Sequence, residues 1–511
     1  SNGTDAANAS EINVGGVGVN DWNLMTLNFS GYVKMGADNV TPVDSGIRFG
    51  FVNDGFYTGT FDLNGFDQTV ASLSHFQAGV NGDNTITDTG GTGTLTVNQS
   101  TNTEYRGNFE GGLGLIKEGA GTLILNNLSG TNSTYAGTTT ISGGVLDIRS
   151  ADALGSTAGE TIIGNGAKLV ISGGITTAEN ITNTGGGGGK ITGGTGGGTF
   201  TGLITLTNAI DLRGDDLTFS GGVTSLDQGF GINGARYVID TNAIDLDSDN
   251  SGGAGSFGVT SAGNDLAKAT QLNVGGNDWG QTTLNFTGVL RVGGNDYMPT
   301  DTDVVFGWFN PGQHGGILDL YGSNQTVASI ATRSAALGEL NNGNDRQEIT
   351  SSIGASTLTV NQNTNTEFQG QITGGISLVK SGSGTLTLNV DDDLNNSYTG
   401  TTSVNGGTLA LAHATSTNII SSSAVIDVAS GATLDVSGIT NGFALANGQT
   451  LSGAGSVVGG TTVGTGAILS PGNSPGTQTF DNLTWVNGGT YLWEINADSL
   501  NGGSGLSFRC A

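Results

Sequence analysis

Three aspartates, Asp245, Asp247 and Asp249, alternate in the run DLDSDN at 245–250. This spacing lets several hard carboxylate oxygens converge on one calcium ion. The run departs from an EF-hand loop, with Asn250 at the turn-glycine position and Ser256 at the closing-glutamate position. Calcium is the one cofactor these residues admit, weighed against a solvated acidic connector; otherwise no cofactor is expected. A second run, GGGGGKITGG at 185–194, has the glycines and lysine of a phosphate loop. Ile191 follows Lys190 where a magnesium-binding Ser or Thr is required, so the run reads as a flexible turn in a Gly-rich strand segment. His75, His314 and His413 have no spacing that would share a metal, and they read as surface or loop residues. The triplet DDD at 391–393 has no acidic counterpart earlier in the chain and reads as an insertion loop. Basic residues are too thinly spread to build a polysaccharide-cleaving cleft, so the chain is expected not to be an enzyme.

These residues sit in a chain of 511, with 93 Gly, 5 Pro and a net charge of −28. Such a field repels phosphate backbones, which excludes nucleic acid as an expected partner. No stretch reaches the 18 or so apolar residues of a membrane-spanning helix, so no membrane span is expected in this chain. Cys510 is the only cysteine, and it leaves no intramolecular disulfide to stabilise the fold. The start SNGTDAANAS, without Met, is expected to be that of a processed or trimmed product.

The elements that position these residues are repeated. NDWNLMTLNFSG (20–31) returns 257 residues later as NDWGQTTLNFTG (277–288), and LNGFDQTVASL (63–73) returns at the same offset as LYGSNQTVASI (320–330). TLTVNQSTNTEYRG (94–107) returns 263 residues later as TLTVNQNTNTEFQG (357–370). Within each copy, alternating pairs recur: Leu95/Val97, Leu123/Leu125, Leu146/Ile148 and Leu169/Ile171, then Leu358/Val360, Leu386/Leu388, Leu409/Leu411 and Leu434/Val436. Apolar residues at period two, broken by Gly and Asn, predict short strands with one buried face. Their recurrence every 23 to 28 residues predicts a β-solenoid in preference to a set of sandwiches. Leu would stack on Leu, Asn on Asn in amide ladders, and Thr would point outward. The expected division is a first copy with its Gly-rich connector at 1–261, a second copy at 262–495 and a tail at 496–511. The paired aromatics, Trp22 with Trp279 and Phe49 with Phe306, are expected to fill the core or to bind sugars.

Two blocks, GGLGLIKEGAGTLILNNLSGTNSTYAGTTTISGGVLDI (111–148) and GGISLVKSGSGTLTLNVDDDLNNSYTGTTSVNGGTLAL (374–411), resemble the autotransporter-associated β-strand repeat. Gly119, Gly121, Leu123, Leu125 and Tyr135 lie on that pattern in the first block. Gly382, Gly384, Leu386, Leu388 and Tyr398 lie on it in the second. The resemblance implies an all-β, right-handed parallel β-helix and a bacterial extracellular or cell-surface protein. In the phrase LIKEGAGTLILNN, Lys117 and Glu118 are expected at a solvent-facing bend, with the leucines pointing into the stack.

Three functions follow. The first is a structural or adhesive surface protein, which could self-associate head-to-tail into a filament through open strand edges. The second is a polysaccharide-active β-helix enzyme. The third is a module that binds a carbohydrate or cell-surface ligand.

Overall fold

The computed structural model describes residues 9–13, 21–27, 30–50, 58–76, 84–127, 132–225, 229–232, 237–239, 244–245, 256–261, 265–307, 315–333, 346–390, 395–472 and 476–492. These residues form short strands in parallel register, stacked turn on turn as a β-solenoid. The described residues contain no α-helix, only one 3-10 turn at Leu266–Lys268. The chain divides into two compact units, one of Ser1–Ala262 with Ala267–Trp279, the other of Gly263–Leu266 with Gly280–Ala511.

In the first unit, one nine-stranded sheet runs from Gln68–Val70 through Thr94–Asn98, Gly114–Glu118 and Thr139–Ile141 to Ile244–Asp245. A second face carries Thr103–Tyr105, Thr122–Leu125, Gly144–Ile148 and Ala167–Ile171 in successive turns. In the second unit, an eight-stranded sheet runs from Gln325–Val327 through Ala355–Asn361, Gly375–Ser381 and Thr402–Val404 to Thr490–Tyr491. Its companion face carries Thr366–Phe368, Thr385–Leu388, Thr408–His413 and Thr433–Ile439.

The stacking of like on like is direct. Leu123 pairs with Leu146 and Leu146 with Leu169, while Leu125, Ile148 and Ile171 follow two residues on. Leu386, Leu409 and Leu434 do the same in the second unit. All of these side chains are at most 1% exposed, so each turn completes the apolar core of its neighbour. Aromatic rings stack too: Phe200, Phe219, Phe230, Phe257 and Trp279 follow one another at centroid distances of 5.7, 6.0, 6.1 and 4.7 Å. Trp279, Phe49 and Phe306 are therefore core residues, fully buried.

The spacing of 28 between Leu95 and Leu123 is not one turn. Leu95 pairs with Leu115 on one face, whereas Leu123 stacks over Thr103 on another. Leu358 and Leu386 are likewise on different faces, paired with Leu378 and Thr366. Each turn carries several strands of the same T-L-x-L type, and a period of two does not say which face a strand joins.

Asn and Asp side chains stand at corners between strands. Asx side chains accept backbone amides from the next turn: Asp38 Oδ1 from Asp67 at 2.9 Å and Asp67 Oδ1 from Thr94 at 2.8 Å. Asn295 and Asn324 serve Asn324 and Thr357 in the same way, each at 2.8 Å. The side chain satisfies a backbone donor at the corner where the strand ladder is interrupted.

Candidate functional site

A recess of about 300 Å³ opens on the first unit, lined by Ser74, His75, Phe76, Asn102, Thr103, Glu104 and Arg106. Its residues come from the ends of two successive strands, Ser72–His75 and Thr103–Tyr105. Alternation turns Leu73 and Tyr105 inward and leaves Ser74 and Glu104 on the outer surface. Arg106 clasps Glu104, with Nε and Nη2 each 3.1 Å from a carboxylate oxygen, and Asn126 donates to Glu104 at 2.7 Å. Burial pushes the Glu104 carboxyl up, but hydrogen bonds from Arg106 and Asn126 and the charges of Arg106 and Arg149 outweigh it and hold it low. Two turns beyond Thr103–Tyr105, Arg149 donates twice to Asp147, at 3.0 and 2.7 Å. One turn before the recess, Arg48 lies over the Phe76 ring, 5.0 Å from its centroid.

His75 is neither a free surface group nor a loop residue. It ends the strand Ser72–His75, with its ring 5.9 Å from Phe49 and 5.4 Å from Tyr105. Its Nδ1 accepts the Arg106 backbone amide at 3.0 Å, and its Nε2 lies 2.9 Å from the Asn84 side-chain amide. Burial, then the charge of Arg106, push the imidazole down to about 4 against an opposing pull from Glu104. The second copy explains this role. There Thr332 Oγ1 accepts the Gln369 backbone amide at 2.9 Å and donates to Gln347 at 2.6 Å. His75 is thus a neutral turn-to-turn acceptor. Because its folded pKa lies below the ordinary 6.5, its stabilisation is complete above pH 6.5 and is lost as pH falls toward 4. His75→Thr, which copies Thr332, is expected to remove this part of the acid sensitivity. Urea midpoints at pH 7 and pH 4.5 check it, with the drop smaller in the variant than in the parent. His413 is also not at the surface: it is 3% exposed and ends the strand Thr408–His413, with Nδ1 accepting the amides of Thr415 and Ser416 at 3.1 and 2.8 Å. His314 lies outside the described residues.

The two repeat blocks hold a different constellation. Lys117 is not at a solvent-facing bend but fully buried. Its Nζ donates to Glu118 O at 2.5 Å, Gly119 O at 3.0 Å and Gly143 O at 3.3 Å. Lys380 donates to Ser381 O, Gly382 O and Gly406 O at 2.6, 3.1 and 3.2 Å. Gly119 and Gly382 supply the positive φ, 71° and 74°, that aims those carbonyls at the ammonium. Gly121 and Gly384 let the turns close: a Cβ there would lie 2.3 Å from Thr101 O and 2.1 Å from Thr364 O. Tyr135 and Tyr398 are buried, with hydroxyls 2.5 and 2.6 Å from Thr139 and Thr402. Leu123, Leu125, Leu386 and Leu388 are all fully buried.

The passenger-associated-transport-repeat family matches residues 115–148 and 378–411, the segments that carry this constellation. The chain is also 32% identical over 192 residues to an adhesin, the BmaC autotransporter of Brucella suis biovar 1. It is an autotransporter passenger-like repeat protein. The aligned part is 36% of this chain and 5% of the adhesin. No solved structure matches.

In this passenger-like chain most buried carboxylates are consumed by the fold. Asp62 accepts from Tyr32, Asn64 and Thr89, and its second-copy counterpart Asp319 accepts from Arg291, Tyr321 and Ser352. Glu179 is different: it is 3% exposed, and its Oε2 is buried with no hydrogen-bond partner among the described residues. Burial, then the charge of Glu160, raise its carboxyl to about 7. Nothing in the sequence pattern singled out Glu179, because its neighbours AENITN look like a solvated corner. Lys190 is buried as well, donating to Gly164 O at 3.3 Å. Of the calcium candidates, Asp245 ends the strand Ile244–Asp245, and Asp247 and Asp249 lie outside the described residues, as does Cys510, which is no part of that set. Among the described residues, no three His, Cys, Asp or Glu side chains gather as a metal group, and no helix is long and apolar enough to cross a membrane.

Proposed function

We propose that this chain is an adhesive, structural protein displayed outside a bacterial cell, with no chemistry of its own. One observation carries the reading: inward Lys, Tyr and Gln devices are the same in both copies, whereas several outward residues differ. Lys117 and Lys380, Tyr135 and Tyr398, and Gln99 and Gln362 make equivalent bonds, the glutamines donating to Thr122 O at 2.7 Å and Thr385 O at 2.6 Å. Outside, Glu118 becomes Ser381, Ile124 becomes Thr387 and Arg106 becomes Gln369. A fold preserved inside and varied outside is a scaffold for presenting surface, and the likeness to an adhesin agrees with that use. Beads coated with the purified chain are expected to adhere to host epithelial cells above uncoated beads. Equal retention on both would remove the adhesive role.

Head-to-tail self-association into a filament belongs to the same reading. Leu483, Trp485, Val486, Tyr491 and Leu492 are 38–48% exposed on the described turn nearest the C-terminus. Exposed apolar residues on one turn favour contact with a second copy. Sedimentation velocity is expected to give oligomers that grow with concentration and recede in Trp485→Asp. A monomer throughout the concentration range would exclude the filament.

A further inference from the structure

We propose that the recess between Phe76 and the Glu104–Arg106 pair binds an acidic saccharide, with Arg106 as the group that meets the sugar carboxylate. This rests on the adhesive reading and gives it a ligand class and a place. At about 300 Å³ the recess is at the small end of ligand sites, suited to one or two sugar rings. Its lining offers donors and acceptors, with the Ser74 hydroxyl, the Asn102 amide and the Glu104 carboxylate, as a hydroxyl-rich ligand requires, while the Thr103 hydroxyl donates to Leu73 O at 2.6 Å. The Phe76 ring supplies an apolar face beside them.

The internal repeat acts as a control for what the fold itself needs. The second copy keeps Asn365, Thr366, Glu367 and Asn389 where the first has Asn102, Thr103, Glu104 and Asn126. The glutamate is still held, by Gln369 Nε2 and Asn389 Nδ2, each at 2.8 Å. Three of the first copy's five arginines, Arg48, Arg106 and Arg149, become Val305, Gln369 and Ala412. An uncharged amide therefore does the structural work of Arg106, and the cationic charge is surplus to the fold. That surplus is placed along one outer face of a chain whose net charge is −28. A free carboxylate is repelled by such a field except beside a guanidinium, which has five N–H donors, and Glu104 takes only those of Nε and Nη2 from Arg106.

The test is calorimetric titration of the full chain with 3′-sialyllactose, a hyaluronan oligosaccharide and neutral lactose. The acidic sugars are expected to bind on the order of tenfold more tightly than lactose, with affinity falling as salt rises. Arg106→Gln, which copies Gln369, is expected to lower that affinity about tenfold while the melting midpoint stays put. Arg149→Ala, which copies Ala412, is expected to weaken it less. Equal affinity for lactose and sialyllactose, an unchanged affinity in Arg106→Gln, or tighter binding of polyglutamate than of the sugars would each overturn the proposal. Bead adhesion separates the two readings. Adhesion that persists without any saccharide affinity sinks this site alone, and saccharide affinity without adhesion sinks the adhesive role alone.

Discussion

Lys117→Met is expected to destabilise the turns around it by about 2–4 kcal/mol, and Lys380→Met to do the same in the second copy. The ammonium of Lys117 reaches two carbonyls of its own turn and a third, Gly143 O, in the next. It closes the corner and ties two turns together with one group. Methionine keeps the apolar stem but has no donor, so three inward carbonyls lose a charge-assisted bond with no water to replace it. The loss is moderated because the charge is itself costly to bury. Burial pulls the Lys117 ammonium down to about 8, with Glu118 opposing, and burial lowers Lys380 as well. The folded pKa of Lys117 lies below its ordinary 10.5, so the parent gains stability as pH rises from about 8 to 10.5. The methionine variant is expected to lose that rise. Native-state hydrogen exchange suits the measurement, because a solenoid need not unfold in one step. Faster exchange is expected at Ser142 and Gly143, whose amides both bond to Lys117 O. If exchange near both lysines is unchanged, these groups do not hold the turns.

The lysines show where sequence reasoning stops. The leucines were legible because a period of two with Gly-broken ends admits few structures, and the register confirms their stacking. A lysine beside a glutamate in a Gly-rich corner reads as solvated by type alone. Only its return as Lys380, beside a serine in place of the glutamate, hinted that the cation mattered more than its neighbour. Arg106 had the opposite difficulty. Its match to Gln369 was visible in the aligned phrases, but the recess beside its pair with Glu104 is built from strands in different turns. The spacing of 28 misled for a related reason, since similar strands on different faces of one turn look like successive turns when read linearly.

Glu179 gives the second large effect, and it has the opposite sign to His75. The strands Thr139–Ile141, Thr161–Ile163, Ile181–Asn183, Ile204–Leu206 and Val223–Ser225 pair in register. Two residues before each first residue stand Gly137, Gly159, Glu179, Gly202 and Gly221. At the four glycines a Cβ would come within 2.0–2.5 Å of a carbonyl of the turn below, so the column is built for hydrogen. The one side chain in it is a carboxyl, 3% exposed and with an unpartnered Oε2. Its folded pKa of about 7 is above the ordinary 4.5. Its contribution is therefore complete below pH 4.5 and is lost as pH rises through 7, by up to about 3 kcal/mol. Burial sets most of this, and Glu160, whose like charge opposes ionisation, adds to it; the Glu179 charge in turn pushes the Tyr135 hydroxyl upward. Glu179→Gln cannot ionise, so between pH 5 and pH 8 the variant is expected to lack the loss that this carboxyl imposes on the parent, leaving it more stable relative to the parent at pH 8 than at pH 5. Urea midpoints at those two pH values, compared between parent and variant, read out the difference. Parallel pH dependences in the two proteins would mean that the carboxyl reaches water, and that the lone side chain in the glycine column carries no buried charge.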